Sequence, residues 1–388
     1  MSVNNNRIFG LDALRAFAVL SVVYGHGYFL INKTVTQEIY FLPLFDGVTI
    51  FFVLSGFLIG RILLRIITND DFHGKMLLNF WLRRWFRTLP NYLLVLIFLV
   101  ISNLYIGLPQ PDILVRYFIF SQNITLPHPD FFPEAWSLAV EEWFYLIIPV
   151  PLYLFAKLKK INKRRIILLW IAIVIFLVTA FRCYRAYHFG YLTLSDWDLS
   201  LRRQVLTRLD SLMYGVLGAY ISLYIPGLWH KVANMGFLLG IFILLCNKLF
   251  FSLIAFHSYS LFYYNYFVLT LDSVGTLLIL PKLSVMEREI DWITKTITFV
   301  SVISYSMYLL HLSLVQLIIL PVLMSKLTEL HWYFGQHILL TKYIMYWIIT
   351  IIGSFFLYHY FERPMTSLRD RYNTGSQAAV TAFKNHDA

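Results

Sequence analysis

A fixed cation and a titratable imidazole, Arg15 and His26, stand eleven residues apart in the first long apolar run, LDALRAFAVLSVVYGHGYFLI at residues 11–31. At about 100° per residue that spacing returns to nearly the same helix face, and at about 1.5 Å per residue it covers about 16 Å. A helix of this length crosses a bilayer. One face then carries a guanidinium near one end and an imidazole three turns deeper. Ionisable groups in that setting are expensive and generally face a cavity or a partner. The blander alternative is an Asp12–Arg15 ion pair at the helix end, with His26 hydrogen-bonded to a neighbouring helix.

An imidazole serves best as a general base when a neighbouring carboxylate fixes its tautomer. Glu141 and Glu142, in WSLAVEEWFYLIIP, fall about five residues inside the outer end of a later apolar run, as His26 does in its own. The shared depth predicts that Glu141 polarises His26. Glu142 snorkels toward the headgroups, where it and Trp136 are candidates to meet an acceptor. In FWLRRWFRTLP, Arg83, Arg84 and Arg87 alternate with Trp81, Trp85 and Phe86, which reads as an amphipathic interfacial helix ended by Pro90. Arg84 and Arg87, one turn apart, suit a phosphate-bearing cofactor; the alternative is anchoring to anionic lipid. Ser55 sits mid-membrane in FFVLSGFLIG and can donate into a cavity. Gly56 and Gly60 beside it let helices approach closely.

Further along, TRLDSLMYGVLGAY carries Arg208 and Asp210, which either pair or bind the acceptor. SYSMYLLH places Tyr308 and His311 on one face, and a lone histidine there reads as a packed one. In YFERP, Glu362 and Arg363 are expected at the inner interface, with Pro364 stopping the helix. The residues beyond are polar, and 371–388 reads as a disordered tail after a membrane domain over 1–370.

The elements that must position these groups follow from composition. Of 388 residues, 59% are hydrophobic and 14% charged, with mean hydropathy +0.66; ordinary soluble domains run near ~25% charged. The chain is therefore an all-α, polytopic membrane bundle. Ten spans are expected, at about 11–31, 44–66, 89–107, 136–156, 165–182, 209–225, 234–251, 259–280, 296–320 and 337–360. A half-length piece at 112–122 reads as interfacial or re-entrant. The net charge of +11 sits in short loops between apolar runs, so nucleic acid is not implied. Cys183 and Cys246 lack metal, redox or haem spacing, and no metal site is expected. The first run is too long for a signal-peptide core and has no small-x-small cleavage site, so it stays in the mature protein.

Lysines and arginines favour the N-terminal side by roughly two to one, which puts both termini inside. Arg182, Arg185, Arg202, Arg203 and Arg208 fall outside on this topology. They are expected to meet an acidic or sugar-phosphate partner.

RAFAVLSVVYGH, FFVLSGFLIG, RRWFRTLP, WSLAVEEWFY, SYSMYLLH and FERP follow one another along the chain. In those motifs and that order the sequence resembles the acyltransferase-3 family, bacterial integral-membrane O-acyltransferases, over nearly its whole length. The resemblance implies a ten-helix domain of the cytoplasmic (inner) membrane. It would take an acyl group, most commonly acetyl, from cytoplasmic acyl-CoA and deliver it to a hydroxyl of an extracytoplasmic glycan such as lipopolysaccharide O-antigen. By motif, Arg15 and His26 become paired essential residues, Arg84 and Arg87 belong to a basic loop that meets CoA, and Glu141 is the acid of the WSL motif. Thr49 stands where relatives often have an acid, whose role is absent here or moved to Asp46. Many relatives carry a soluble esterase-like domain after the membrane part. Ending soon after its last helix, this chain is expected to finish the transfer unaided or to hand over to a separate periplasmic protein.

These readings combine into one mechanism. A nucleotide held by Arg84 and Arg87 sends its pantetheine arm along the first helix to His26, which acts as general base or forms an acyl-imidazole. The rival is a transporter or flippase of a glycan or lipid-linked substrate. Against it, the sequence has no internal repeat and no paired interrupted helices.

Overall fold

Each of the ten expected apolar runs is helical in the computed structural model, which describes residues 7–31, 45–68, 74–107, 109–157, 162–190, 193–254, 260–287, 291–329 and 337–372. We label the helices α1 (Phe9–Ile31), α2 (Gly47–Thr68), α3 (Gly74–Tyr105), α4 (Ala135–Ile147), α5 (Pro149–Ala156), α6 (Lys163–Phe189), α7 (Leu209–Tyr224), α8 (Ala233–Ile254), α9 (Leu269–Leu283), α10 (Trp292–Leu310), α11 (Leu320–Glu329), α12 (Ile338–Leu357) and α13 (Arg363–Tyr372). A π-helical stretch, His311–Ile319, joins α10 to α11. Among the described residues, nine helices are long and apolar enough to cross a bilayer. The tenth, α7, has only 16 residues and is sheathed by α2, α6 and α9. A segment surrounded by protein need not match the hydrocarbon thickness. On the outside, side chains such as Phe176, Met235 and Leu238 stand 70%, 72% and 66% exposed. So much exposed apolar surface requires lipid around it, and the chain is a multi-pass membrane protein.

Two prolines do not end their helices as expected. α3 runs through Pro90 to Tyr105. Proline inside a membrane helix is tolerated where neighbouring helices hold the segment. The proline deprives the Phe86 carbonyl of its intrahelical donor, and close by Tyr305 Oη from α10 donates to Thr88 O (2.7 Å), tying the disturbed turn to its neighbour. Pro364 lies in the first turn of α13, which continues directly from the π-helical stretch Tyr358–Glu362; the Arg363 N–H bonds to Tyr358 O, and the regular ladder is already broken where the proline lacks its N–H. The polar residues up to Tyr372 are thus helical, and the rest of the expected tail lies outside the described residues. The piece near 112–122 forms a short helix, Leu114–Phe118, whose Tyr117 is fully buried.

The centre of the bundle is the pair α2 and α7, flanked by α1, α6 and α9, with α10 packed against α1. Glycine makes the pair possible. A Cβ on Gly56 would lie 1.9 Å from the Leu212 carbonyl oxygen, and one on Gly215 2.1 Å from that of Val53. Backbone meets backbone here, so nothing flexible can move aside. Gly56→Ala is expected to destabilise the protein by about 1–3 kcal/mol, read as a lower midpoint of thermal aggregation in detergent. An unchanged midpoint would mean that the helices slide apart without cost.

Candidate active site

Among the described residues, two chambers lie one toward each end of α1. The smaller, about 130 Å³, is lined by Arg15 from α1, Ser55 from α2, Arg84, Arg87 and Thr88 from α3, Ser137, Glu141 and Tyr145 from α4, and Ser304, Tyr305 and Tyr308 from α10. Sequence reasoning named Arg15, Ser55, Arg84, Arg87 and Glu141 from four separate motifs, and the fold gathers them around one space. Arg83 does not line it. Asp12, under Arg15, is held chiefly by Arg7 (2.6 and 2.8 Å) and Ser301 Oγ (2.9 Å), with Arg15 Nη1 at 3.7 Å. The expected Asp12–Arg15 contact is therefore the weaker one, and the Arg15 side chain borders the chamber.

The larger chamber, about 630 Å³, is lined by His26, Asp46, Glu134, Trp136, Trp197, Arg202, Arg203 and Asp272, among others. Trp136, expected to meet an acceptor, lines this chamber. The two chambers share Val48 and Tyr308 in their linings. Tyr308 is braced across this boundary: its hydroxyl lies 2.7 Å from Ser137 Oγ and donates to Glu134 O at 3.1 Å.

Glu141 is not the partner of His26. It lines the other chamber and accepts from Tyr145 Oη (2.9 Å), which in turn lies 2.9 Å from Ser55 Oγ. Glu142 is also turned inward rather than toward headgroups, accepting from Thr88 Oγ1 at 2.7 Å. The depth argument failed because the start of α4 is not at the membrane surface. Phe132, Glu134, Ala135 and Trp136 are all buried, so the preceding loop dips into the protein. Glu134 therefore shares the chamber of His26, while Glu141 lies two turns, about 10 Å, further along the helix. Glu134 accepts from Ser313 N (3.1 Å) and Ser313 Oγ (2.6 Å).

The partner of His26 is His311. His26 Nδ1 and His311 Nε2 are 2.8 Å apart, and His311 is fully buried. Sequence reasoning read His311 as packing alone. The signal available was that Tyr308 and His311 share a face, but nothing local pointed that face at α1. Glu134, before the WSL motif, was missed because loops were taken to lie at the surface.

The arginine-rich loop also departs from expectation. Arg182 pairs with Asp210 at 2.7 Å, both essentially inaccessible. Arg185 donates to Gln204 Oε1 and to Thr125 O. Arg202 and Arg203 both grip Asp198. Burial would raise that carboxyl, but the two guanidinium groups hold it below its usual range. Arg208, fully buried, donates to Thr49 Oγ1 (2.5 Å), whose hydroxyl donates to Asp46 Oδ2 (2.6 Å). Arg208 and Asp210 thus have separate partners, and neither lines a chamber. The loop folds into the bundle: Arg182 has a carboxylate of its own, Arg202 and Arg203 share one, and these last two also border the larger chamber. Thr49 links Arg208 to Asp46, and Asp46 is the carboxylate that reaches the larger chamber. Glu362, expected at the interface, is buried and accepts from Asn91 Nδ2 (3.0 Å) and Ser306 Oγ (2.6 Å). No group of three or more His, Cys, Asp or Glu placed to hold a metal ion occurs among the described residues.

Two chambers that share Val48 and Tyr308, one bordered by Arg15, Arg84 and Arg87 and one by His26, suit transfer of a group between two separately bound reactants. Comparison with known proteins agrees. The chain is 34% identical over 173 residues to peptidoglycan O-acetyltransferase OatA of Listeria monocytogenes, covering 39% of this chain and 25% of that one. It is 37% identical over 159 residues to a Bacillus subtilis protein named "Putative peptidoglycan O-acetyltransferase YrhL", covering 36% and 23%. The chain thus spans about a quarter of the length of the curated relatives it matches. No solved structure matches it significantly. The acyltransferase-3 model, described as an acyltransferase domain, matches residues 8–359, and the chain belongs to that family.

Proposed function

We propose that this protein moves an acyl group, acetyl by the names of its relatives, from cytoplasmic acyl-CoA to a hydroxyl of a surface glycan across the cytoplasmic membrane. Both termini lie inside on this reading, which the lysine and arginine bias supports. The observation that carries the proposal is the pair of chambers meeting at Val48 and Tyr308. The sizes support a division of contents between them. Sites for drug-sized ligands run about 300–1,000 Å³. At about 130 Å³ the Arg15 chamber is too small for a nucleotide but admits a linear arm. At about 630 Å³ the His26 chamber takes a sugar unit. Arg84 and Arg87 hold the phosphates at the mouth, and the pantetheine arm passes Glu141, Ser55 and Tyr308 toward His26. Along α1 the distance to cover is about 16 Å.

His26 then takes the proton of the acceptor hydroxyl. The oxygen attacks the thioester carbonyl carbon, the C–S bond breaks, and the departing CoA sulfur recovers the proton from the imidazolium. The products are an O-ester and free CoA. The acceptor to try first is peptidoglycan, named for the Listeria relative; lipopolysaccharide O-antigen is the other.

The test uses purified protein in liposomes with radiolabelled acetyl-CoA on the side of the termini and glycan on the other. Label is expected on the glycan, with release of free CoA. Replacing Arg84 and Arg87 with alanine is expected to raise the KM for acetyl-CoA about 10–100-fold, since a charged hydrogen bond is worth about 1.5–3 kcal/mol. No CoA release from any short acyl-CoA would sink the reading.

A further inference from the structure

The geometry points to His311 as the residue that positions the His26 imidazole: by accepting its Nδ1–H, His311 leaves the His26 Nε2 lone pair as the base for acyl transfer. The assignment follows from one ring to the next. His311 Nδ1 lies 2.7 Å from Tyr308 O and 3.2 Å from Met307 O. Both neighbours are carbonyl oxygens, so a lone pair at that nitrogen would face two others. Nδ1 therefore carries the hydrogen. In neutral imidazole the other nitrogen is then the acceptor. That nitrogen, His311 Nε2, is the one 2.8 Å from His26 Nδ1, so His26 Nδ1 must bring the hydrogen. Its own Nε2 is left with the lone pair, in a ring that borders the larger chamber.

The backbone explains why the chain of bonds begins at Tyr308. His311 opens the π-helical stretch, and such a stretch breaks the regular ladder and is frequent at functional sites. The N–H of Ser313 is turned to Glu134 Oε1. A carbonyl of the preceding turn is thus available to a side chain, and His311 takes it. The same turn holds Tyr308, which borders both chambers. One turn of helix therefore braces the boundary and sets the tautomer of the base beyond it. When His26 Nε2 accepts the acceptor proton, the Nδ1–H···Nε2 bond becomes charge-assisted, and it strengthens as the charge develops. This rests on the acyl-transfer reading for the reaction, though the tautomer is a property of the resting protein.

Two variants and one spectrum test it. His311→Leu fills a similar volume but accepts no hydrogen bond. It is expected to lower kcat by about 10²-fold or more, within the range a positioned base contributes, with the KM for acetyl-CoA within about twofold of wild type. His311→Gln offers an amide oxygen where Nε2 lies and is expected to restore kcat to within about tenfold. Equal loss in the folded leucine and glutamine variants, or a leucine variant as active as wild type, would overturn the proposal. In liposomes of the full chain labelled with nitrogen-15 histidine, solid-state spectra are to be recorded for wild type and His26→Asn, so that the difference identifies His26. A protonated Nδ1 and bare Nε2 are expected; a protonated Nε2 on neutral His26 refutes the relay. The spectrum decides even if His311→Leu fails to fold. It also decides if wild type consumes no acyl-CoA, in which case the function fails and the relay is judged separately.

Discussion

His26→Ala is expected to abolish acyl transfer while the protein still folds and binds acyl-CoA. The histidine borders the larger chamber and, among the described residues, its ring bonds to one side chain, His311. Truncation removes the base without removing a helix contact of consequence, and it leaves His311 Nε2 facing a space that water can fill. The loss of a positioned base alone costs about 10²–10⁴ in rate. At the upper end of that range turnover falls below detection. The arginines at the other chamber are untouched, so acyl-CoA affinity stays near the wild-type value. Release of free CoA in liposomes, beside retention of acyl-CoA on the protein, separates the two effects. Turnover within about tenfold of wild type would remove His26 from the reacting centre. Unfolding would return it to a packing role.

Arg182→Leu is expected to cost far more stability than any surface change. Its guanidinium is 1% exposed and its partner Asp210 is fully buried. The same head also donates to Thr207 O (3.0 Å) and Thr270 Oγ1 (2.6 Å), so it ties α6 to the loop before α7 and to α9. Removing one member of a buried pair strands the other charge, at a cost of about 3–5 kcal/mol. The double change Arg182→Leu with Asp210→Leu removes both charges and is expected to recover a large part of that loss. Thermal aggregation midpoints in detergent for the two single variants and the double give the cycle. If the double variant is as poor as the sum of the singles, the pair is not coupled and the arginine acts through Thr207 and Thr270.

These two predictions mark where sequence reading succeeds and where it stops. His26 stood out because it shares a helix with Arg15, and a spacing within one helix converts directly to angle and distance. Arg182 and Asp210 were equally visible as charges in apolar runs. Their pairing was not, because it joins residues 28 apart across a loop whose path was unknown. Reading that loop as solvent-exposed sent its arginines to an outside anion. The fold turns them inward onto Asp198, Asp210, Gln204 and Thr49, and leaves Arg202 and Arg203 bordering the larger chamber.

The sequence by itself determined the ten helices and the membrane they need, because hydropathy acts along the chain over about 20 residues. It also determined the set of residues able to do chemistry, since burying Arg15, His26 or Glu141 in such helices is costly wherever they point. Only the tertiary structure decided which of them meet. It put Glu141 with the arginines and Glu134 with the histidine, because the loop before α4 sinks into the bundle. It brought His311 to His26 across 285 residues of chain. Helix–helix approach in lipid is set by small residues and backbone fit, as at Gly56 against Leu212. Those contacts are properties of two surfaces together, and neither surface is legible from its own stretch of sequence.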